Sequence, residues 1–340
     1  MSAVASAAAL PYFHLGALDI GIPIQSFGVI VAIGVLIGAY LLRRYAEWHG
    51  VTDEHVRGLT GWITIAGFAG AHLFDVIAYH PWSAVVEDPL LIVKVWDGIS
   101  SYGGFIGGSI GFAIYVWWKR LPARLFADIG IVGLLPAFTI GRIGCSVVSD
   151  HIGAAVDPSA WYSFLAMDYP WDVLRQQGIA QNYHMAETVR AWNLGLIEFL
   201  YLVPVNIVVL WLAFRPSKRM NAGVLIALTG ALYAPVRFGL DFLRPEETDP
   251  RHLGLTFAQW ASIVAFGAAL YLAFKLLQHG EPAEVIARTS GLAKAKLEKL
   301  AHEAEQEEAE ADDDDDEADA KAEKPKPKAK KAAAGGKGRK

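Results

Sequence analysis

Seven apolar segments, each close to the length needed to cross a membrane, dominate the first 280 positions of the chain. With a window of about 19 residues, they fall at roughly Ile22–Leu42, Gly58–Tyr79, Ile99–Trp118, Leu125–Ile140, Leu194–Phe214, Gly223–Leu240 and Leu255–Leu277. In lipid, a single segment can satisfy its backbone hydrogen bonds only as a helix. The pattern therefore predicts an all-α polytopic membrane protein with seven transmembrane helices.

The loops between these segments differ in charge. Basic residues follow the first, third and fifth segments: Arg43 and Arg44, then Lys119, Arg120 and Arg124, then Arg215, Lys218 and Arg219. Lys and Arg accumulate on the cytoplasmic side of membrane proteins. This predicts a periplasmic N-terminus and a cytoplasmic C-terminus. Residues 1–21, which lack the basic start of a secretory signal, are expected to form a short periplasmic arm.

The longest connection, at about 154–193, lies on the predicted outer side. It carries Trp161, Tyr162, Tyr169, Trp171, Tyr183 and Trp192. Aromatic side chains are favoured at the level of the lipid headgroups. A small periplasmic cap and an ordinary loop with an interfacial aromatic belt fit this pattern equally well.

Composition changes after the last apolar segment. The chain is 54% hydrophobic with mean hydropathy +0.31, yet 12 of its 35 acids lie in the tail, between Glu303 and Asp319, so the net charge of −5 indicates nothing about partners. Residues 279–340 are predicted to form a charged, largely disordered cytoplasmic tail. Its basic end is expected to be solvated rather than to bind nucleic acid. The single cysteine, Cys145, excludes an intrachain disulfide.

Two arginines at the predicted outer ends of segments are the strongest candidates for a site. Arg142 lies in the stretch Gly141–Gly153, which also holds Asp150 and His151, and Arg237 lies four residues before Asp241. Charged groups at membrane depth are costly and indicate function. Guanidinium groups bind phosphate bidentately, and the acids would orient them. We therefore expect an outward-facing cavity for a phosphate-bearing lipid.

Two further groups leave alternatives open. Tyr102, Gly103 and Gly104 begin the third segment, whose glycines recur every four residues; this favours helix packing or the approach of a lipid headgroup. His72 and Asp75 share one helical face and fit either a proton relay or a hydrogen-bonded pair that fixes helix rotation.

These residues carry a resemblance to the prolipoprotein diacylglyceryl transferase family, which extends from about Ile20 to Leu277. Gly141, Arg142, Gly144 and Gly153 match its signature, with Asp150 in place of Glu. Three further elements are similar to family motifs: Arg237 with Asp241 and Arg244, Glu198, and the stretch Leu255-Thr256-Phe257-Ala258-Gln259-Trp260. The chain departs from the family at Tyr102 (His in the family), Cys145 and Val148 (both Asn), Phe27 (Tyr), and His72 and Asp75 (commonly Arg and Tyr). It is therefore similar to the family as a divergent member.

The resemblance implies an enzyme of the bacterial inner membrane that moves the diacylglyceryl group of phosphatidylglycerol to the lipobox cysteine of prolipoproteins. Residues 22–278 would form its membrane transferase domain, and no metal or organic cofactor is implied. The expected catalytic residues are Arg142, Arg237, Tyr102, Asp150 and His151. The expected substrate-binding residues are Gly103, Gly104, Gly153, Asp241, Arg244, Glu198, His72, Asp75, Phe27 and Cys145.

Two other functions are considered. A catalytically degenerate paralogue would bind phospholipid or lipoprotein precursors without turnover, in keeping with the departures from the family motifs. A channel or transporter is disfavoured because the sequence has no paired broken helices or inverted halves.

Overall fold

The computed structural model describes residues 9–19, 23–94, 98, 100–176, 178–215, 220–245 and 251–279, with the single positions 302 and 306. Its long helices are α1 (Ser26–Trp48), α2 (Asp53–Tyr79), α4 (Ser101–Trp118), α5 (Ala123–Val147), α7 (Leu194–Phe214), α8 (Val224–Leu240) and α9 (Phe257–His279). Two short helices, α3 (Trp82–Glu87) and α6 (Trp171–Gln176), lie in connections. The expected charged tail lies outside the described residues, apart from 302 and 306.

The chain is a multi-pass membrane protein, and six of its described helices are long and apolar enough to cross a membrane. All seven predicted apolar segments are helical, but α4 is not among the six. This helix has only 18 residues and contains five glycines, which lower its hydropathy. Helix α5 ends at Val147, seven residues after the predicted end at Ile140, so the stretch that contains Arg142 is also helical.

The helices are arranged in packed pairs, α2 with α4, α1 with α5 and α8 with α9, while α7 packs between α5 and α8. The main core lies between α1, α2, α5, α7 and α8 and includes Tyr45, Leu59, Phe126, Val132 and Leu202. Buried Asp128 of α5 accepts hydrogen bonds from the backbone N–H groups of Gly223 (2.7 Å) and Ile226 (2.9 Å) at the start of α8. A carboxylate from a neighbouring helix thereby stabilises the α8 N-terminus.

A small antiparallel sheet interrupts the helical architecture, a feature that the all-α prediction did not include. It consists of β3 (Ile152–Ala155), β4 (Ala166–Pro170) and β5 (Thr188–Asn193), in the order β3-β5-β4. Alternate residues of β5 are buried, namely Val189, Ala191 and Asn193, as expected for a strand with one face toward a core. The aromatic connection therefore has a folded core of its own, which includes Met167, Tyr169 and Leu174.

The N-terminal arm packs along this sheet. The backbone N–H of Leu10 donates to the carbonyl of Ala166 (2.9 Å), and that of Leu15 donates to the carbonyl of Val147 (2.9 Å). Two short hairpins complete the described strands: β1 (Leu18–Asp19) pairs with β2 (Pro23–Ile24), and β6 (Arg251–His252) pairs with β7 (Leu255–Thr256). The second hairpin leads directly into α9, beside the end of α8.

Candidate functional site

Arg142 and Glu198 form a buried ion pair between α5 and α7. Nε of Arg142 lies 3.0 Å from Oε2 of Glu198, and the two side chains are only 11% and 5% exposed. The Tyr233 hydroxyl of α8 donates to the other carboxylate oxygen, and the Phe138 ring lies 4.7 Å from the guanidinium carbon. Burying an ion pair costs several kcal/mol of solvation per ion and is weak evidence for stability. Its presence between two helices that are long and apolar enough to cross a membrane therefore points to function.

A second network surrounds Asp241, which follows α8 and is fully buried. Nη1 of Arg237 donates to its Oδ1 at 2.9 Å, and Nη1 of Arg244 lies 3.9 Å from the same oxygen. The Thr256 hydroxyl donates to Oδ2. The predicted pairing of Arg237 with Asp241 is thus present, and the carboxylate orients the guanidinium group.

Thr256 is itself held in place by Gln259 at the start of α9. The Thr256 N–H donates to the Gln259 side-chain oxygen (3.0 Å), and the Gln259 N–H donates to the Thr256 hydroxyl oxygen (3.2 Å). This reciprocal arrangement resembles a capping box, in which two otherwise unpaired donors are satisfied. It connects the motif that opens α9 to the arginine of α8.

The two arginine networks meet at Glu198 and Tyr233, because both of these side chains interact electrostatically with Arg142 and with Arg237. Arg142, Arg237 and Arg244 bring three positive charges against the two buried carboxylates of Glu198 and Asp241. Each guanidinium group has five N–H donors, of which a carboxylate usually accepts two. The arrangement can therefore bind an anion with several oxygens, such as a phosphate.

Tyr102 lies beside Arg237, with which it interacts electrostatically. Its ring packs edge-on against Phe257 of α9, with 5.1 Å between ring centres, and is tilted against Phe74 of α2 at 6.5 Å. Neighbouring Gly103 serves helix packing, because a Cβ there would lie 2.3 Å from the Gly70 carbonyl oxygen. Gly104 has more space, with its nearest neighbour at 3.8 Å.

His72 and Asp75 do not form a hydrogen bond with each other in the described structure. His72 is buried, with Nδ1 3.2 Å from the Gly98 carbonyl oxygen and Nε2 3.1 and 3.0 Å from those of Leu91 and Ile92. Asp75 lies 3.4 Å from Nε2 of His80. This geometry favours the structural role of His72, which holds the loop before α4 against α2.

The turn after α5 brings Asp150 and His151 back toward Cys145. Ser149 adopts a left-handed conformation (φ 56°), and the Asp150 N–H donates to the Cys145 carbonyl at 3.1 Å. Nδ1 of His151 lies 3.1 Å from Oδ2 of Asp150, and Nη1 of Arg142 lies 3.8 Å from the Cys145 sulfur. The contact with His151 lowers the pKa of Asp150. Burial opposes the charged form of His151, but its contacts with Asp150 and Cys145 outweigh this effect and raise its pKa.

Two other expected site residues serve packing. A Cβ on Gly153 would lie 2.6 Å from the Leu243 carbonyl oxygen, so this glycine lets β3 approach the segment after α8. The Phe27 ring of α1 covers Gly144 of α5, where a Cβ would lie 2.9 Å from a ring carbon. Gly153 acts through close backbone packing and Phe27 through its apolar ring, so neither contributes a polar side chain to the site.

Tyr233 and Gln259 were not among the residues expected from the sequence, although both belong to the site. Tyr233 precedes Arg237 by four residues, which places both on one face of α8. That spacing is the sequence feature that could have identified Tyr233 as a site residue. Gln259 lies in a recognised motif, but its contact with Thr256 depends on the turn between β7 and α9.

The model of the family described as prolipoprotein diacylglyceryl transferase matches residues 16–275 of the chain. Among similar curated proteins, the phosphatidylglycerol–prolipoprotein diacylglyceryl transferase of Thermosynechococcus vestitus is 28% identical over 268 residues, which cover 78% of this chain and 93% of that protein. An enzyme of the same description from Clostridium perfringens, numbered 2, is 25% identical over 269 residues (78% and 96%). One from Nostoc sp. is 28% identical over 260 residues (75% and 86%).

Proposed function

Because this chain belongs to the prolipoprotein diacylglyceryl transferase family, we propose that it transfers the diacylglyceryl group of phosphatidylglycerol to the lipobox cysteine of prolipoproteins. The thiol sulfur attacks glycerol carbon C3 and forms a thioether. The bond between C3 and the phosphate oxygen breaks, its electron pair goes to that oxygen, and glycerol 1-phosphate leaves. The thiol proton passes to a base in the site.

One observation supports this proposal above all. The buried Arg142 pairs with Glu198, and the buried Arg237 pairs with Asp241. Both arginines also interact electrostatically with Glu198 and Tyr233. The leaving phosphate gains charge as the C3–O bond breaks. Guanidinium groups that are already oriented stabilise that charge without reorganisation in the transition state. Arg244 and Tyr102 lie at the edges of this phosphate site and supply further donors.

We assign proton handling to His151 rather than to His72. Both ring nitrogens of His72 face backbone carbonyl oxygens, whereas His151 contacts Asp150 beside Arg142 and Cys145. Turnover of a His151→Ala, His72→Ala double variant at the wild-type rate would contradict any role of these histidines. Loss of turnover in the His151→Ala single variant, with His72→Ala changing stability alone, is the expected outcome.

The proposal includes a location and an orientation. The protein would lie in a bacterial inner membrane with α4 as a seventh span, the sheet β3-β5-β4 as a periplasmic cap, and the tail in the cytoplasm. The basic loops after the first, third and fifth segments support this orientation. Phosphatidylglycerol and the lipobox peptide would both reach the site from the outer leaflet.

The test uses purified full-length protein with labelled phosphatidylglycerol and a lipobox peptide. We expect a thioether product, with kcat reduced about 10²–10³-fold in Arg142→Ala and in Arg237→Ala. Arg175→Ala is the matched control, since this arginine lies in α6 with 69% of its side chain exposed, and it should retain full turnover.

Arg142→Lys distinguishes charge from geometry, because lysine keeps the charge but loses the planar fork. We expect most of the loss to persist in this variant. Phosphatidylglycerol binding without thioether product in the wild type would contradict the transferase and favour the degenerate paralogue.

A further inference from the structure

Three side chains with metal-binding chemistry converge at the turn after α5. Ligand atoms of Cys145, Asp150 and His151, namely the thiol sulfur, a carboxylate oxygen and a ring nitrogen, all lie within 4.8 Å of one another. Asp150 and His151 follow Cys145 by five and six positions. In a continuous helix, side chains at these separations do not face each other. The left-handed Ser149 and the hydrogen bond from the Asp150 N–H to the Cys145 carbonyl produce the convergence.

The distance between the His151 and Asp150 ligand atoms is close to that in a tetrahedral zinc site. Zinc binds thiolate, imidazole and carboxylate at about 2.3, 2.0–2.1 and 2.0–2.2 Å, which places neighbouring ligand atoms about 3.3–3.6 Å apart. Nδ1 of His151 and Oδ2 of Asp150 are already 3.1 Å apart. The Cys145 sulfur lies within 4.8 Å of both atoms, and its movement toward them would complete a set of three ligands with one position open.

Three features suit this group to binding an ion. Nδ1 of His151 is buried and lies 3.1 Å from Oδ2 of Asp150, so two potential ligand atoms already face each other. Imidazole nitrogen and carboxylate oxygen are both zinc ligands, so an ion bound here would coordinate the two atoms in place of their contact with each other. The Asp150 side chain is 51% exposed, which gives an ion a path from solvent. The backbone is also fixed, because the Leu194 N–H donates to the His151 carbonyl (3.1 Å).

We propose that Cys145, Asp150 and His151 bind a thiophilic divalent cation, with Zn²⁺ the best match to their chemistry. Nη1 of Arg142 lies 3.8 Å from the Cys145 sulfur, and its positive charge repels a cation bound there. The site therefore binds its ion reversibly and does not depend on it for folding.

The position of this site predicts an effect on the transferase, and this part rests on the proposed function. An ion here occupies His151, the assigned proton acceptor, and places positive charge next to Arg142. It therefore inhibits transfer and is not a cofactor of it.

The binding test is a Co²⁺ titration of purified full-length protein, followed by optical absorption. Because Cys145 is the only cysteine of the chain, a thiolate-to-cobalt charge-transfer band can arise only from it. The tail offers carboxylate oxygens and the imidazoles of His279 and His302 but no thiol, so Co²⁺ bound there produces no such band. We expect one Co²⁺ per chain with the band and with tetrahedral d–d transitions, and displacement by Zn²⁺.

Variants decide whether the three residues act together. Cys145→Ser should abolish the band, and His151→Ala and Asp150→Asn should each weaken Co²⁺ binding at least about 10-fold, the lower end of the loss seen on altering residues around metal sites. His184→Ala is the matched control, since this exposed histidine lies elsewhere in the connection 154–193, and its binding should equal that of the wild type. Thermal unfolding of each variant checks that the fold is retained.

Two results would overturn the proposal: no thiolate band in the wild type at any tolerated Co²⁺ concentration, or a band of unchanged affinity in His151→Ala.

Inhibition is tested separately, as the fraction of transferase activity lost with added Zn²⁺. Because the lipobox peptide also binds zinc through its thiol, Cys145→Ser and the control variant are compared at the same peptide concentration. We expect inhibition of the control to exceed that of Cys145→Ser. Absence of transferase activity would contradict the proposed function and leave the binding result intact.

Discussion

At the residue scale, one buried carboxylate determines the geometry of half of the site. Asp241 is fully buried and accepts hydrogen bonds from Arg237 and Thr256, with Arg244 3.9 Å away. A carboxylate in such a position is stabilised only by its partners, so removal of one partner leaves charge unpaired in a low dielectric. Thr256 is therefore a positioning residue that acts on phosphate through Asp241 and Arg237.

Thr256→Val tests this role, since valine has nearly the same shape but no hydroxyl. We expect a loss of about 1–3 kcal/mol in unfolding free energy, because one oxygen of Asp241 loses its donor. We also expect a lower kcat with a smaller change in KM, because Arg237 is no longer held for the transition state. Denaturation in detergent and steady-state kinetics measure the two effects.

Thr60→Val is the control for Thr256→Val. The Thr60 hydroxyl donates only to the Val56 carbonyl within α2 (2.9 Å), and Thr60 is exposed. The Thr60→Val variant should leave kcat unchanged. Wild-type kinetics in Thr256→Val would show that Asp241 orients Arg237 without help from α9.

At the element scale, glycines of both helices bring α2 and α4 into close contact. A Cβ on Gly107 of α4 would lie 2.1 Å from the Ala66 carbonyl oxygen and 2.9 Å from the Gly70 Cα of α2. Gly111 is similarly close to Trp62 and Ala66. These distances support the packing interpretation of the glycine repeat. They also explain how α4, with its low hydropathy, is held against a longer apolar helix.

Gly107→Ala should force α2 and α4 apart. The clash is with backbone, which cannot rotate away, so we expect a destabilisation of about 1–3 kcal/mol, typical of overpacking. Transferase activity should also fall, because Tyr102 is carried on α4. A lower thermal unfolding midpoint is the measurement.

Gly61→Ala in α2 is the opposite case, since a Cβ there meets nothing within 4 Å. Alanine is favoured over glycine in a helix by about 0.5–1 kcal/mol, so this variant should be as stable as the wild type or more so. Equal stability of the two alanine variants would contradict the tight contact between α2 and α4.

At the scale of the whole molecule, the proposed orientation in the membrane rests on the distribution of basic residues alone. In a Cys145→Ala background, a membrane-impermeant maleimide should label Met185→Cys in intact spheroplasts. Met185 lies in the connection between the strands of the sheet and is 84% exposed. Ser290→Cys, in the tail, should be labelled only after lysis.

Labelling of both positions from outside, or of Ser290→Cys alone, would contradict the predicted orientation. The parent Cys145→Ala protein, which contains no cysteine, is the control for background reaction. The same pair of variants also tests whether the sheet β3-β5-β4 is a periplasmic cap.

The sequence by itself determined the membrane class, the positions of the seven helices and the two arginines at their ends. These follow from the length and polarity of segments, and from the cost of placing charge near lipid, which depend on local composition. Family membership was also recognisable from local motifs. The pairing of Arg237 with Asp241 was within reach because residues four apart on a helix are neighbours.

Only the tertiary structure decided which partner each polar group has. Glu198 pairs with Arg142 across two helices, and Thr256 reaches Asp241 through a turn. His72 contacts backbone carbonyl groups of the loop before α4 rather than the Asp75 carboxylate. Residues distant in sequence have no periodicity that relates them, so their contacts depend on how the helices pack. The convergence of Cys145, Asp150 and His151 depends on one left-handed residue, Ser149, a conformation that non-glycine residues adopt only where the surrounding structure requires it.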